Sequence, residues 1–221
     1  MNRIPIFIVN FNRFLPTKML VEFLLTRNYT NIVILDNASE YLPLLDWYSK
    51  CPVPVCRLER NVHSGVLNEL PQFRPITTSQ LYVYSDSDVL PVDEIPNDFL
   101  EHMCDIVKQH KIPKLGLSLK IDDLPEHYKH KQEVINHESQ FSQKLNVDTP
   151  YCKVYSAPVD TTFAVCATPD CGLIMEASRT GYPYSARHLP WYYDSNNLPE
   201  DEKLLKAKKH PQIGHWSSKE G

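Results

Sequence analysis

The sequence predicts an α/β protein built on a doubly wound, mixed β-sheet. Short, continuous apolar segments alternate with segments whose apolar residues recur at helical spacing, in the order strand, helix, strand, helix, strand. Such alternation is typical of parallel strands joined by crossover helices. The length of 221 residues is enough for one domain with a sizeable core. We therefore expect a single domain over residues 1–221.

The first half of the chain carries the clearest pattern. The segment IPIFIV at 4–9 is short, continuous and β-rich, as expected of a strand that is buried on both faces. The segment 16–28 begins with proline, has apolar residues at helical spacing and ends in arginine and asparagine, which predicts a helix. Further strands are predicted at 31–39, 53–59 and 81–85, and a short helix at 41–48.

The second half is less regular. The segment 199–209 has a proline first, acidic residues in its first turn and lysines in its last, which complements the dipole of a helix. Residues 122–149 are polar, include histidines and are predicted to be loop-rich. The remaining predicted elements are helices at 98–111 and 170–181, a strand at 114–121, and two β segments within 151–167 that flank residues 158–160.

Composition and charge exclude several classes of protein. The chain has 23 lysines and arginines against 27 aspartates and glutamates, a net charge of −4, so no polycationic surface for nucleic acid is expected. The apolar run near the N-terminus spans six residues, too few for a signal-peptide core or a bilayer span, and no other stretch is long enough. These features predict a cytoplasmic protein without a transmembrane segment.

The cysteines give only a weak signal. Two pairs, Cys51/Cys56 and Cys166/Cys171, are each separated by four residues, a spacing that hints faintly at zinc. Six cysteines in a chain of this length do not look like a disulfide framework. We therefore expect reduced cysteines that act as small apolar residues.

Polar residues follow each of the four predicted strands of the first half. Because ligands of open α/β sheets bind beyond the carboxyl ends of the strands, these residues are candidates for a binding site. No glycine-rich phosphate loop follows the first strand, which argues against a dinucleotide dehydrogenase and a P-loop protein. The polar residues are Asn10, Asn12 and Arg13 after the first strand, Asp36 and Asn37 after the second, Arg60 and Asn61 after the third, and Asp86 and Asp88 after the fourth.

The segment LYVYSDSDVLP at 81–91 places two carboxylates one residue apart at the end of an apolar strand. Alternate residues of an extended segment point the same way, so Asp86 and Asp88 can face one ligand. A hard divalent cation, Mg²⁺ or Mn²⁺, would relieve their repulsion and could bridge to phosphate oxygens. A solvated turn or a helix cap after a strand is the alternative interpretation.

Four segments, in order, resemble the GT-A glycosyltransferases, in particular the compact family-2-like kind of bacteria and large DNA viruses. IPIFIVNFNR resembles their opening strand, NIVILDNAS their second strand with its base-contacting aspartate, and YVYSDSDVLP their D-x-D motif. TGYPYSARHLPWYYD resembles the late segment in which a glycine–aromatic pair precedes a metal-binding histidine. The resemblance implies a GT-A-like, Rossmann-like fold with a nucleotide-sugar-binding half at 1–90, an acceptor-binding half at 91–210 and a tail at 211–221.

The resemblance also implies roles for individual residues. Those that would hold the nucleotide are Asn10, Asp36 and Arg60, with Asn37 and Asn61 as weaker candidates and Asp86 at the ribose. Those that would hold the metal are Asp88 and His188, with His215 of the segment IGHWS as the rival to His188. His188 is favoured because its spacing after Gly181 fits the family better. An ordinary surface or core position is the alternative for any histidine.

An acid outside the D-x-D segment is the candidate general base. Asp160 lies between apolar flanks in SAPVDTTFAVC, and we interpret it as the group that deprotonates the acceptor hydroxyl; a turn-forming aspartate is the alternative. The usual Glu-Asp pair of the family is missing, and Asp170, at a comparable spacing ahead of Gly181, is a rival base that also fits a helix N-cap. Trp191 belongs to an aromatic cluster that could stack on a sugar face or pack in the core.

The resemblance as a whole implies a glycosyltransferase that depends on Mn²⁺ or Mg²⁺ and works in the cytoplasm, or in the host cytoplasm if the protein is viral. Its donor would be a UDP-sugar, carrying glucose or a deoxyhexose such as rhamnose, and its acceptor a hydroxyl, as on a glycan. A base on the acceptor side implies inversion. Two alternatives remain: a nucleotidyltransferase, which normally carries a glycine-rich, basic loop after its first strand, and a non-catalytic module that binds a nucleotide or a sugar.

Overall fold

A nine-stranded mixed sheet forms the centre of the computed structural model, which describes residues 4–160, 162–169 and 176–207. A second sheet of three strands accompanies it within the same residues. The strands are β1 (Ile6–Asn10), β2 (Ile32–Asp36), β3 (Val55–Arg57), β4 (Tyr82–Asp86), β5 (Val89–Pro91), β6 (Lys114–Gly116), β7 (Ser118–Leu119), β8 (Leu145–Asp148), β9 (Lys153–Ser156), β10 (Ala164–Cys166), β11 (Ser178–Thr180) and β12 (Ser185–His188). The predicted α/β class with a mixed sheet is confirmed.

The helices fall between the strands in the predicted alternation. The α-helices are α1 (Leu15–Thr26), α2 (Leu42–Tyr48), α3 (Arg74–Ser79), α4 (Phe99–His110), α5 (Lys131–Ser139) and α6 (Glu200–Ala207). Short 3₁₀ helices cover His63–Glu69, Pro71–Phe73, Gln140–Ser142 and Leu189–Tyr192. The helices predicted at 16–28, 41–48, 98–111 and 199–209 correspond to α1, α2, α4 and α6.

The strands β3, β2, β1 and β4 lie side by side in that order, and all run parallel. The register pairs Asn10 with Asp36 across β1 and β2, and Val9 with Asp86 across β1 and β4. Because parallel strands end at the same edge of a sheet, the polar residues that follow these strands converge. We call this edge, made of the carboxyl ends of β1 to β4 and the loops that follow them, the rim.

The second half of the chain extends the sheet with antiparallel pairs. β10 lies antiparallel between β4 and β6, and β11, β9 and β8 continue the sheet beyond β6. The three-stranded sheet has the order β5, β12, β7. Its β12 runs antiparallel to β5 and pairs His188 with Val89. This pairing brings the end of β12 next to the D-x-D segment at the rim.

The core explains why the first elements form where the sequence predicts them. Leu20, Val21 and Leu24 of α1 follow helical spacing and are fully buried against the sheet. The strand β1 is buried on both faces, as its continuous apolar run predicts. Each such aliphatic side chain contributes about 1.5–3 kcal/mol through its burial.

The helix predicted at 170–181 is wrong at its C-terminal end, because Ser178–Thr180 forms β11; residues 170–175 lie outside the described residues. β11 is buried and pairs with β6 on one side and β9 on the other. Its polar side chains are satisfied internally: the Thr180 hydroxyl donates to the Tyr184 carbonyl at 2.5 Å. A short polar strand shows neither an apolar run nor an apolar alternation, so its sequence does not signal a strand.

Residues 122–149 are also more ordered than predicted, because they contain α5 and β8. Val134 is the one buried residue that α5 contributes among its described positions, so the helix has almost no apolar stripe for periodicity to detect. β8 is a largely exposed edge strand that pairs with β9. Two of its four residues, Asn146 and Asp148, are polar, in keeping with its exposure.

Among the described cysteines, one differs from the expectation of reduced thiols. Cys51, Cys56, Cys104 and Cys152 are free thiols, as expected. Cys166, at the end of β10, is disulfide-bonded, so the prediction that all six cysteines are reduced is wrong for this residue. Within the described ranges, no helix has the length and apolar character that crossing a bilayer requires.

Candidate active site

The loops that follow β1 and β2 are locked together at the rim. Asn12 has a left-handed backbone, with φ of 60°, which asparagine tolerates better than most residues. Its Oδ1 accepts hydrogen bonds from the backbone N–H groups of Glu40 and Tyr41, at 2.7 and 3.0 Å. Its own N–H donates to Ser39 Oγ at 2.8 Å. These bonds fix two of the four strand ends relative to each other before any ligand binds.

A hydroxyl bridges the two polar residues that end β1 and β2. Tyr48, at the end of α2, donates its hydroxyl proton to Asp36 Oδ1 at 3.0 Å and accepts from Asn10 Nδ2 at 2.8 Å. Ser87, between the two aspartates of the D-x-D segment, donates to Asn10 Oδ1 at 2.8 Å. Asn10 and Asp36 are both fully buried. The predicted pair therefore does come together, and a hydroxyl from each side connects it to its surroundings.

An arginine that the sequence analysis did not single out holds Asp36. Arg57 donates through Nε to Asp36 Oδ2 at 3.1 Å, and the backbone N–H of Ser39 donates to the same oxygen at 3.0 Å. The predicted Arg60 instead pairs with Glu69 at 3.3 Å, and its side chain is 74% exposed. Arg57 could have been found from the register, because it lies directly opposite Asp36 across β2 and β3.

A shallow pocket lies beside this group. Its lining residues are Leu58, Glu59, Arg60, Val62 and Glu69. The backbone N–H of Leu58 donates to the Asp36 carbonyl, and that of Val62 donates to Asn37 Oδ1, both within 2.9 Å. The loop after β3 is thus tied to the loop after β2, and the pocket lining includes Arg60, one of the residues predicted to hold the base.

Asp88 forms two ion pairs at the rim, with Arg13 and His188. Its Oδ2 lies 3.0 Å from Arg13 Nη1 and 3.2 Å from His188 Nε2. Its Oδ1 is buried and has no hydrogen-bond partner among the described residues, and the same holds for His188 Nδ1. The His188–Val89 pairing of the small sheet produces this contact. The structure therefore brings the predicted Asp88 and His188 together, with one buried acceptor oxygen left over.

The two aspartates of the D-x-D segment titrate in opposite directions. Burial raises the pKa of Asp86 to about 7, and the negative charges of Asp88 and Asp160 add to this effect. Burial acts on Asp88 in the same direction, but the charges of Arg13 and His188 outweigh it and lower its pKa well below the usual range. Without a further cation, the rim thus holds one firmly ionised carboxylate and one that takes up a proton near neutral pH.

Helix α6 closes one side of the rim through charge. Arg13 donates through Nε to Glu202 Oε1 at 2.6 Å while its Nη1 faces Asp88. Asp201 accepts from the backbone N–H of Phe14 at 2.9 Å. Burial would lower the pKa of Arg13, but the charges of Asp88 and Glu202 more than offset it and raise that pKa. The sequence analysis noted the acids of α6 only as helix-dipole partners.

The remaining predicted residues occupy different environments. Asp160 is exposed, and it lies close enough for its charge to raise the pKa of Asp86. Trp191 is buried, and its ring packs edge-on against His188 with centroids 4.7 Å apart. Its indole N–H finds no acceptor within the described part of the chain. The rival candidates Asp170 and His215 lie outside the described residues.

The donor set of the rim suits a hard divalent cation. Among the described residues, Asp88 Oδ1 is buried without a partner, and the His188 imidazole lies 3.2 Å from the other oxygen of the same carboxylate. Carboxylate oxygen and imidazole nitrogen are both ligands of Mn²⁺, and Mg²⁺ and Mn²⁺ commonly complete their shells with water and phosphate oxygens. No group of three or more metal-binding side chains occurs within the described ranges. The described residues therefore fit a cation that shares its shell with a phosphate ligand.

Comparisons with known proteins give similarities in structure only. No protein-family model and no curated protein matches the chain. The chain is similar to a mannosyltransferase from Pyrobaculum calidifontis in complex with GDP-Man and Mn²⁺, with 15% identity, coverage of 55% of this chain and 36% of that chain, and a TM-score of 0.41. It is similar to S. aureus TarS 1-349, with 13% identity, coverage of 74% and 46%, and a TM-score of 0.39. HddC from Yersinia pseudotuberculosis, complexed with GMP-PN, has 11% identity, coverage of 93% and 100%, and a TM-score of 0.47.

These similarities are at the level of fold. The chain spans 36% and 46% of the lengths of the first two proteins. Identities and TM-scores of this size transfer no activity to this chain.

Proposed function

We propose that the chain is a metal-dependent glycosyltransferase that moves a hexose from a UDP-sugar to an acceptor hydroxyl, as on a glycan, with inversion. Glucose or a deoxyhexose such as rhamnose is the sugar proposed. The observation that carries this proposal is the Asp88–His188 pair at the carboxyl ends of parallel strands, where the buried Asp88 Oδ1 has no partner in the described part of the chain. Open α/β sheets bind their ligands at that edge.

In the proposed reaction, Asp160 accepts the proton of the acceptor hydroxyl. The acceptor oxygen forms a bond to the anomeric carbon of the donor while the bond from that carbon to the phosphate oxygen breaks. The leaving UDP keeps the electron pair of the broken bond, so the products are the glycosylated acceptor, UDP and a proton on Asp160. The exposure of Asp160 suits contact with an acceptor that arrives from solvent.

Asp88 and His188 would hold the divalent cation, and Asp86 would face the ribose. When bound, the cation supplies positive charge that stabilises the diphosphate leaving group. Arg13 already provides one positive charge next to Asp88, at 3.0 Å. Trp191 contributes by packing against the His188 ring and fixing its orientation, so a direct contact with the sugar is not needed for its role.

The base is proposed to bind between Asn10, Asp36 and Arg60. An ionised carboxylate can accept about four hydrogen bonds. Among the described residues, Asp36 accepts three, from Tyr48, Ser39 and Arg57. Its remaining capacity would take the N–H of a pyrimidine ring, and UDP is proposed on that basis.

Titration of UDP with and without Mn²⁺, followed by assays of UDP release from a panel of UDP-sugars, tests this proposal. We expect UDP to bind in a Mn²⁺-dependent manner and at least one sugar to be transferred. Pyrophosphate release from a nucleoside triphosphate and a sugar 1-phosphate would instead identify a nucleotidyltransferase. UDP binding that is the same with and without Mn²⁺, together with no turnover of any donor, would identify a binding module and overturn the proposal.

A further inference from the structure

Two buried cations contact the chain directly before Asp160. Lys114, the first residue of β6, is 2% exposed, and its Nζ donates to the Val159 carbonyl at 2.9 Å. Arg179, in β11, donates through Nε to the Pro158 carbonyl at 2.9 Å. Two consecutive carbonyls are thus held by two cationic side chains from neighbouring strands. Hydrogen bonds from a charged donor are about twice as strong as those between neutral groups.

The positive charges of Arg179 and Lys114 are balanced by different acidic groups. Arg179 forms a buried ion pair with Glu138, 2.6 Å from Nη1 to Oε2, and its guanidinium lies 4.2 Å from the centre of the Phe141 ring. Lys114 has its pKa lowered by burial, while the charges of Asp160 and Asp86 act in the opposite direction. The lysine therefore lies within electrostatic reach of both acids that the proposed reaction uses at this side of the rim.

The same segment is pressed against β6 by close packing. A Cβ at Gly116 would approach Thr162 Cγ2 to 2.6 Å and Val159 Cγ1 to 2.7 Å, so only glycine leaves room for the segment here. Thr162 also donates its hydroxyl proton to the Leu117 carbonyl at 2.9 Å. Val159 is fully buried, whereas Asp160, the next residue, is exposed. The backbone is thus held by contacts on both sides of Asp160. These contacts fix the position at which the chain passes from the buried core to the exposed side chain of Asp160.

We propose that Lys114 and Arg179 are positioning residues that hold Asp160 in place for the acceptor. We call the two side chains and the carbonyls of Pro158 and Val159 the cation clamp. The clamp acts through Asp160, so it deepens the proposed function and rests on it. A displacement of about 1 Å in a reacting group can cost about 10²-fold in rate, which is the size of effect that loosening the clamp predicts.

The substitution Lys114→Met tests the clamp, because methionine keeps a long aliphatic chain and removes the charged donor. With a UDP-sugar that the wild type turns over, we expect kcat to fall about 10²-fold, while the affinity for UDP with Mn²⁺ changes less than about two-fold. Lys120→Met is the matched control, because Lys120 pairs with Asp122 at 2.7 Å, away from the clamp, and its kcat should stay at the wild-type value.

A double-substitution cycle separates positioning from general stability. If Lys114 acts through Asp160, then Lys114→Met should lower kcat no further in an Asp160→Asn background, because the group it positions is already absent. Equal losses in both backgrounds would overturn the proposal. If Lys114→Met does not fold, Arg179→Lys replaces it in the cycle, since lysine keeps the charge beside Glu138 and removes the Nε donor to Pro158.

Hydrogen exchange in the free protein tests, without any substrate, whether the cation clamp holds the segment before Asp160. We expect backbone amides between residues 154 and 166 to exchange about ten-fold faster in Lys114→Met than in the wild type or Lys120→Met. Unchanged exchange there would show that Lys114 does not hold the segment and would overturn the clamp. A wild type that turns over no UDP-sugar refutes the proposed function instead, and the exchange result still decides whether the clamp exists.

Discussion

Removing the hydroxyl group of Tyr48 should destabilise the protein more than the loss of so small a group suggests. In the wild type this hydroxyl donates to Asp36 Oδ1 at 3.0 Å and accepts from Asn10 Nδ2 at 2.8 Å, and both partners are fully buried. Tyr48→Phe leaves a buried amide donor without its acceptor and removes one donor from a buried carboxylate. Each of these losses costs about 1–3 kcal/mol, so we expect the free energy of unfolding to fall by about 3 kcal/mol.

The matched control is Tyr192→Phe, which also removes a hydroxyl that donates to a carboxylate. Tyr192 bonds Asp123 Oδ1 at 2.5 Å, but the Asp123 side chain is 31% exposed and also accepts two hydrogen bonds from Arg187. Water can replace the lost donor there, so the expected cost is below about 1 kcal/mol. Urea denaturation at pH 7 measures both. A loss for Tyr48→Phe no larger than that for Tyr192→Phe would refute the reasoning.

The same substitution has a signature at alkaline pH. Burial, reinforced by the charge of Asp36, raises the pKa of Tyr48 far above its ordinary value. A group whose pKa is raised in the folded state contributes stability below its unfolded pKa, about 10 for tyrosine, and that contribution is lost as the pH rises above it. Wild-type stability should therefore decline above pH 10 more steeply than that of Tyr48→Phe. Parallel declines in the two proteins would contradict this assignment.

Three further predictions concern the proposed roles at the rim. Asp88→Asn should remove the Mn²⁺-dependent part of UDP binding in calorimetry, and anomalous scattering from a Mn²⁺-soaked wild-type crystal should place the metal at His188. A retained Mn²⁺ effect in the variant, or a metal bound elsewhere in the crystal, would contradict the metal site. Asp160→Asn should lower kcat about 10²–10⁴-fold with UDP affinity unchanged, and a nearly wild-type rate would exclude this residue as the base. Arg57→Met should destabilise the fold by about 2 kcal/mol and Arg60→Met by less than about 0.5 kcal/mol. The reason is that Arg57 bonds a buried carboxylate and Arg60 an exposed one. Denaturation curves that rank the two variants in the reverse order would contradict this prediction.

The convergence of strand ends could be predicted from sequence because it needs only local patterns. Continuous apolar runs identify β1, β2 and β4, helical spacing identifies α1, and the parallel topology follows from their alternation. Once the strands are parallel, the residues after them must share an edge. This reasoning alone places Asn10, Asp36 and Asp88 at the rim.

The electrostatic partners of these residues could not be predicted, because long-range contacts supply them. Arg13 bonds Glu202 across 189 positions of sequence, and Lys114 bonds the Val159 carbonyl across 45. No periodicity relates such pairs. Arg57 and Arg60 show the limit at short range. Arg57 lies within the strand predicted at 53–59 and Arg60 directly follows it, and only the strand register decides which one faces Asp36.

The balance of charge at the rim gives the strongest physical reason to expect a cation there. The negative charges of Asp88 and Asp160 act on Asp86, and Arg13, His188 and Lys114 are among the cationic side chains whose charge is coupled to these acids. Arg13 is shared with a carboxylate of α6, and Lys114 is buried beneath the segment that carries Asp160, so neither fully neutralises the D-x-D pair. Burial is the largest cause of the raised pKa of Asp86, and the negative charges of Asp88 and Asp160 add to it. In the proposed complex, a divalent cation held at Asp88 would add positive charge beside the two aspartates. Donor binding would then lower the pKa of Asp86 and let both aspartates ionise together.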